Sequence, residues 1–185
     1  MKNSRSSLSR LLMFSEIVLT ISKNKKVIQA MDNNQLYNQY SAEYRQANDY
    51  HGQLSTKEFE LQLINIGMKY DTSANSFQGQ LSKMNLEMEI HALKQQRNAH
   101  ICSAINYVLD LANNEITNSQ GIIISLAYMA LSAINSFIST QNIELSLPSY
   151  LQVKLNQISD KLIMSNMTLL NLKSEVSRLK LLCKI

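Results

Sequence analysis

Apolar residues recur at intervals of three and four positions along most of the chain, which is the spacing of a helix that buries one face. The most regular stretch lies at the C-terminal end, where ten positions keep an unbroken 4-3 spacing and seven of them are leucine or isoleucine. A seam of this length is typical of a coiled coil, so we predict a coiled-coil helix over residues 147–185. Its predicted interaction residues are Leu151, Leu155, Ile158, Leu162, Leu169, Leu172, Val176 and Leu179.

A second regular line runs from Phe77 to Ala112 and predicts a long helix over residues 76–113. This line is apolar at both ends and polar in three central layers. Polar residues in a buried seam fix register at some cost in stability, whereas in an exposed stretch they have no such role, and the sequence fits both alternatives equally. Another apolar line on the same helix predicts packing on a second side. The polar layers are His91, Gln95 and Asn98, and the second line is Leu86, Ile90, Leu93, Ala104, Val108 and Leu111.

The first part of the chain predicts three shorter helices. A basic helix over residues 1–31 ends at a predicted turn over residues 32–34, and a polar helix follows over residues 35–50. We expect a break at residues 51–52, where glycine follows histidine. A serine with a glutamate three residues later, over residues 55–58, is a capping-box pattern and predicts the start of the third helix.

The helix over residues 35–50 carries a thin stripe of tyrosines, Tyr37, Tyr40 and Tyr44. A tyrosine buries a large ring and keeps a hydroxyl group for a hydrogen bond, so the stripe is a candidate contact face for a partner. The alternative, which we favour, is that these rings pack against a neighbouring helix of the same chain.

One segment of the chain, residues 116–143, has no charged residue, and we predict a charge-free helix over residues 117–143. Within it, residues 121–138 are apolar at 13 of 18 positions, which reaches the length at which a membrane span becomes a candidate. The flanking residues Glu115 and Glu144 lack the basic neighbours that orient a simple membrane anchor. We therefore favour a helix buried in the centre of the fold, with insertion into a membrane or burial in a partner as the alternative.

Composition narrows the fold class. With one proline, four glycines and no tryptophan, the chain lacks the closely spaced turns of a β-sandwich, a barrel or a glycine-rich nucleotide fold. We predict an all-α protein, an elongated bundle of five or six helices with a C-terminal coiled-coil helix. A single helical domain over residues 1–185 then comprises the basic N-terminal helix at 1–31, central helices at 35–113, the charge-free helix at 117–143 and the coiled-coil helix at 147–185.

The net charge of +4 is unevenly distributed, with basic ends and an acidic middle. This arrangement favours contact between the ends and the middle, although solvated helix faces are the simpler interpretation. Three neighbouring lysines at positions 23, 25 and 26 are the main argument for nucleic-acid binding. No helix-turn-helix or RNA-binding signature accompanies them, so we expect nucleic acid not to be the partner.

Chemistry-bearing motifs are absent from the sequence: it contains no nucleophile elbow, phosphate loop, dinucleotide fingerprint or zinc-helix motif. His91 and His100 are nine residues apart, on opposite sides of a helix, and cannot bind one metal ion from that helix alone. Cys102 and Cys183 fall on apolar helical lines and are expected to be core residues. We therefore predict a protein that is not an enzyme, with no cofactor, no metal and no small-molecule substrate.

The N-terminal stretch is serine-rich and basic, and Glu16 interrupts its apolar run, so we expect no Sec signal peptide. The expected location is the cytoplasm, or export by a route that uses an uncleaved signal. Terminal coiled-coil helices around a charge-free segment resemble, in layout, type III secretion filament and translocator proteins, whose terminal helices pair. That resemblance implies a helical component of a bacterial secretion or surface apparatus.

From these features we predict a non-enzymatic assembly protein that binds a helical partner, either itself or another protein. Two alternatives remain open: a membrane-inserting effector or adaptor that uses residues 121–138, and a nucleic-acid-associated helical protein.

Overall fold

The computed structural model describes residues 4–70, 76–118, 121–163 and 169–183. At residues 4–31, 115, 117–118, 121–123 and 163 it describes the helical backbone without the side chains. Within these ranges the chain forms five helices that pack together and no strand, so the predicted all-α fold is confirmed. The helices are α1 (Ser4–Tyr70), α2 (Phe77–Asn118), α3 (Gly121–Thr140), α4 (Ser149–Ile163) and α5 (Leu170–Leu182).

Helices α1 and α2 form a long antiparallel hairpin, which is the most extensive packing of two helices in the described chain. Residues further toward the C-terminus of α1 lie opposite residues nearer to the N-terminus of α2. The register is marked by three pairs of polar atoms: Asn33 Oδ1 with Asn114 Nδ2 (3.2 Å), Glu43 Oε2 with His100 Nδ1 (2.6 Å), and Lys57 Nζ with Glu89 Oε2 (3.2 Å).

The other three helices pack around one half of this hairpin, the half that contains the C-terminal part of α2. Helix α4 runs parallel to α2, because Lys154 contacts Asp110 at 2.8 Å, and Lys161, further along α4, contacts Asn113, further along α2. Helix α5 packs against both α3 and α4. The shared core is apolar throughout, and its largest fully buried side chains include Ile101, Ile105, Leu109, Leu111, Leu131, Ile134, Ile138, Leu151, Leu155 and Ile158.

Helix α1 continues through both predicted breaks, so the predicted turn at residues 32–34 and the break at residues 51–52 are wrong. A glycine inside a helix costs only about 1 kcal/mol relative to alanine, and Gly52 has no positive φ. Burial of Tyr40, Ala47 and Leu54 on either side of these positions outweighs such local costs. The predicted capping box is also wrong, because Ser55 lies inside α1 and its hydroxyl donates to the carbonyl of His51 at 3.0 Å.

The predicted single helix over residues 147–185 is divided into α4 and α5, which pack against each other. A straight continuous helix would hold these two segments apart, so α4 and α5 are not collinear. Residues 164–168 lie outside the described residues. The eight predicted seam residues, from Leu151 to Leu179, are all buried in the core of this chain, with at most 8% of their surface exposed. Because the helix is divided, both halves of the seam contribute to the same apolar core.

The burial of the C-terminal seam predicts which leucines stabilise the monomer. Replacing the fully buried Leu155 by alanine leaves a cavity among α2, α4 and their neighbours, and we expect a loss of about 2–5 kcal/mol in the free energy of unfolding. The matched control is Leu170→Ala in α5, where the side chain is 57% exposed and the expected loss is below about 0.5 kcal/mol. Urea denaturation at low protein concentration measures both, and equal midpoints for the two variants would contradict this packing.

Candidate functional site: the apolar stripes of the hairpin tip

The hairpin extends beyond the five-helix core as a two-helix tip, formed by residues 54–70 of α1 and 77–94 of α2. Its two helices are held together by a small apolar cluster separate from the main core. Ion pairs lie on both sides of this cluster: Lys57 contacts Glu89 at 3.2 Å, and Lys94 contacts Glu58 at 2.9 Å. The cluster contains the buried Leu54, Leu86 and Ile90, with Leu61, Ile64 and Leu93 packed against them.

The tip exposes most of the large apolar side chains that the described chain leaves in contact with water. On α1 they form a line with 4-3-4 spacing, which we call the α1 stripe: Phe59 (60% exposed), Leu63 (53%), Ile66 (54%) and Tyr70 (79%). On α2 the spacing is the same, and we call this line the α2 stripe: Phe77 (81% exposed), the half-buried Leu81, Met84 (51%) and Met88 (57%).

The two stripes face in opposite directions. Phe59 and Leu63 lie two residues to either side of Leu61, which faces α2, and two residues turn a helix by about 200°. Met84 and Met88 lie in the same way around Leu86, which faces α1. Each stripe therefore points away from the partner helix of the hairpin, and the tip is apolar in its middle and along both outer edges.

The α2 stripe belongs to a longer line that the chain covers elsewhere. Continued at the same spacing, the line passes through the polar layers and then becomes buried where α3 and α4 pack on α2. His91 and Gln95 are exposed and hydrogen-bonded to each other at 2.9 Å, so the polar layers mark the place where the cover ends rather than a buried seam. The covered part of the line consists of Cys102, Ile105, Leu109 and Ala112.

A polar cleft of about 390 Å³ lies where the tip joins the core. Its most buried charged residue is Arg97, which is 6% exposed and donates from Nε and Nη2 to Asn98 Oδ1 at 3.1 and 3.0 Å. Asn98 in turn donates to the carbonyl of Glu144 at 3.1 Å, so this relay fastens the α3–α4 connection to α2. Burial lowers the pKa of Arg97, and the nearby Glu58 carboxylate acts in the opposite direction.

No cluster of three potential metal-ligating side chains occurs in the part of the chain that the structure describes. Burial raises the pKa of the Cys102 thiol to about 11 and that of the Cys183 thiol to about 12, which keeps both protonated and unreactive near neutral pH.

The predicted tyrosine stripe packs within its own chain. The hydroxyl of Tyr40, which is buried, donates to the carbonyl of Ala130 at 3.5 Å, and that of Tyr44 donates to the carbonyl of Ala133 at 3.4 Å. The ring of Tyr37 lies 5.6 Å from that of Tyr40. The tyrosines thus join α1 to α3, as the favoured alternative expected. Neither these residues nor the C-terminal seam offers a free surface in the described chain.

Helix α3 carries the charge-free segment and has a buried face that includes Ala127, Leu131 and Ile134. Among the described residues, no helix combines the length and the apolar character needed to cross a bilayer.

The α2 stripe is the start of the apolar line predicted from Phe77 to Ala112, but neither stripe was among the predicted interaction residues. The sequence does contain a signal for the α2 stripe. Helix α2 is apolar on two sides near its start, and such a helix buries both sides only when it packs against a partner on each. What the sequence does not reveal is that α3 and α4 both pack on the other end of α2.

Comparison with known proteins provides no further assignment: no family model, no curated protein and no solved structure matches this chain.

The apolar cluster of the tip is smaller than the main core, so we expect the backbone of the tip to open more readily than the backbone of the core. Both regions share helix α2, so amide hydrogen exchange along this one helix is an internally matched measurement. We expect the amides of residues 77–94 to exchange faster than those of residues 98–113, because far less apolar surface protects them. Equal protection along α2 in dilute protein would show that the tip is as stable as the core and would contradict this division.

Proposed function

We propose that the protein is a non-enzymatic assembly protein that binds a helical protein partner through the apolar stripes of its hairpin tip. The observation that supports this proposal is the pair of exposed stripes with helical spacing on an element that projects from the five-helix core. Contiguous exposed apolar side chains of this size are typical of interaction surfaces. A helix laid along such a stripe contacts it at every turn.

The area of one stripe sets the strength of binding. Its four side chains expose roughly 450 Å² in total, given that a large apolar or aromatic side chain has about 150–250 Å² to bury. At about 25 cal/mol per Å², covering one stripe contributes roughly 11 kcal/mol before the costs of association, which are about 4–15 kcal/mol. One stripe alone therefore binds weakly, and stable assembly requires that both stripes are covered or that further contacts form.

Two features of the tip favour a protein partner over a membrane or a nucleic acid. A flat bilayer surface can meet only one of two stripes that face in opposite directions. The tip also carries equal numbers of acidic and basic side chains, which provides no electrostatic attraction for a polyanion. The acidic residues are Glu58, Glu60, Glu87 and Glu89, and the basic residues are Lys57, Lys69, Lys83 and Lys94.

Membership of a bacterial secretion or surface apparatus stays a prediction that rests on the layout of the sequence. The C-terminal seam is used within the chain in the described structure, so the tip replaces it as the surface that we propose for assembly.

Site-specific photocross-linking in the cells that make the protein tests this function. A benzophenone amino acid at Leu63, in the α1 stripe, should give protein adducts because a partner covers this position. The matched control is Arg45, which is exposed and lies on the same outer line of α1 but beside the core.

The proposal predicts a several-fold higher yield of protein adducts at Leu63 than at Arg45, and loss of these adducts when Ile66 is also replaced by glutamate. Equal yields at the two positions would contradict it. Adducts to lipid alone, together with flotation on phospholipid vesicles that the Ile66→Glu change abolishes, would replace it with membrane binding.

A further inference from the structure

We infer that the α1 stripe binds the α1 stripe of a second copy of this chain, antiparallel and about a two-fold axis through the middle of the stripe. This inference rests on the proposed function and names the partner of one of the two stripes. A two-fold contact uses the same surface on both copies and closes on itself, so it produces a dimer. The α2 stripe of each copy stays on the outside of that dimer.

The α1 stripe is complementary to itself. Its 4-3-4 spacing reads the same in both directions, so an antiparallel copy centred on the stripe brings all four residues into register. The chemistry has the same symmetry, with an aromatic ring at each end and a branched aliphatic side chain at each middle position. Phe59 of one copy meets Tyr70 of the other, and Leu63 meets Ile66. Pairs of rings attract each other beyond the area that they bury, which favours this register over one shifted along the helix.

The margins of the α1 stripe bring no like charges together in this register. About 90° to either side of the stripe lie Glu60 and Gly67 on one margin and Gln62 and Lys69 on the other. A two-fold axis perpendicular to the helices sets each margin against the same margin of the second copy. Lys69 then lies beside Gln62 of the other copy, where the ammonium group can donate to the amide oxygen, and Glu60 lies beside Gly67.

The described surroundings of Gly67 do not require a glycine. This residue lies inside α1 without a positive φ, and a Cβ added to it would meet no described atom within 4 Å. Glycine weakens the interior of a helix, because it loses more conformational freedom on folding than any other residue. In the two-fold contact its missing side chain leaves room for Glu60 of the second copy at the solvated margin.

The outer side of α1 has space for a second copy. Continued toward the core, the line of the α1 stripe passes through Thr56, Gly52 and Arg45, which are all exposed. The α2 line instead reaches the α3–α4 connection, where Asn98 donates to the carbonyl of Glu144 at 3.1 Å. Because position 70 of one copy lies level with position 59 of the other, only the tips overlap. The core of each copy lies beyond the end of the other tip, so the dimer needs none of the space that α3, α4 and α5 fill.

The area of the contact fits a dimer that depends on concentration. The two α1 stripes together bury roughly 900 Å² of apolar surface, close to the ~1,000 Å² that separates specific interfaces from incidental contacts. We therefore expect a monomer in dilute solution and a dimer at high concentration.

Sedimentation velocity of the full chain tests the dimer and the stripe that forms it. The weight-average sedimentation coefficient should rise with concentration and level off at the value of a dimer. Leu63→Glu places a charge in the centre of the contact and should remove this rise. The matched control is Met84→Glu in the α2 stripe, which should leave the rise unchanged, since the two side chains are 53% and 51% exposed. Circular dichroism and the urea midpoint verify that both variants keep the fold.

Disulfide trapping tests the register. Leu63→Cys and Ile66→Cys are prepared as separate full-length proteins, in a background in which Cys102 and Cys183 are replaced by alanine. Under mild oxidation their mixture should give more disulfide dimer than either variant alone, because position 63 of one copy lies level with position 66 of the other. A mixture of Leu63→Cys with Met84→Cys is the control and should give little dimer.

Four outcomes overturn the inference: a monomer at every concentration, assembly that continues past the dimer, a loss of dimer in Met84→Glu as large as in Leu63→Glu, or equal disulfide yields from the two mixtures. A monomer in sedimentation together with photocross-linked adducts at Leu63 to a protein other than this chain would overturn it and uphold the proposed function. A monomer without any such adduct would overturn both.

Discussion

Helix α3 has to be covered because it has no charged side chain with which to face water, and the positions of the other helices follow from that requirement. Tyrosines of α1 close one side of it, the C-terminal half of α2 lies along another, and α5 packs against a third. Its one fully buried polar residue, Asn135, donates to the carbonyl and the carboxylate of Glu175 at 2.9 and 2.7 Å. A buried amide with two such bonds fixes how α5 lies on α3, since a shifted helix would leave it unpaired.

The C-terminal helices pack at the end of the hairpin where α3 lies, so they leave the other end of the hairpin uncovered. Helix α2 carries apolar residues on two sides along most of its length, but its own chain covers both sides only from about residue 98 onward. The tip keeps a narrow internal cluster and two exposed outer lines. The same distribution of cover accounts for a stable core, a less protected tip and the two stripes to which we assign assembly.

The sequence was sufficient for the fold class and for the long helix α2, since both depend on sustained periodicity that tertiary contacts reinforce. It was insufficient to locate the positions at which helices are interrupted. Gly52 and the polar residues at 32–34 are weak local signals, and α1 continues through them because packing on α2 and α3 contributes more than they cost. The division of the C-terminal helix into α4 and α5 was missed for the converse reason, because the apolar spacing continues in phase from one helix to the other. Periodicity reports that a face is apolar, and only the tertiary arrangement determines what covers it.

The central claim is that one apolar line of α2 is covered by its own chain in one half and is open to another molecule in the other. Hydroxyl-radical footprinting of dilute protein tests this directly, because sulfur-containing side chains on that line lie in both halves. Met84 and Met88 should oxidise rapidly, and Cys102, which is 8% exposed, should oxidise slowly until the protein unfolds. Protection of the two methionines equal to that of Cys102 in the monomer, or oxidation of Cys102 as fast as theirs, would contradict the account.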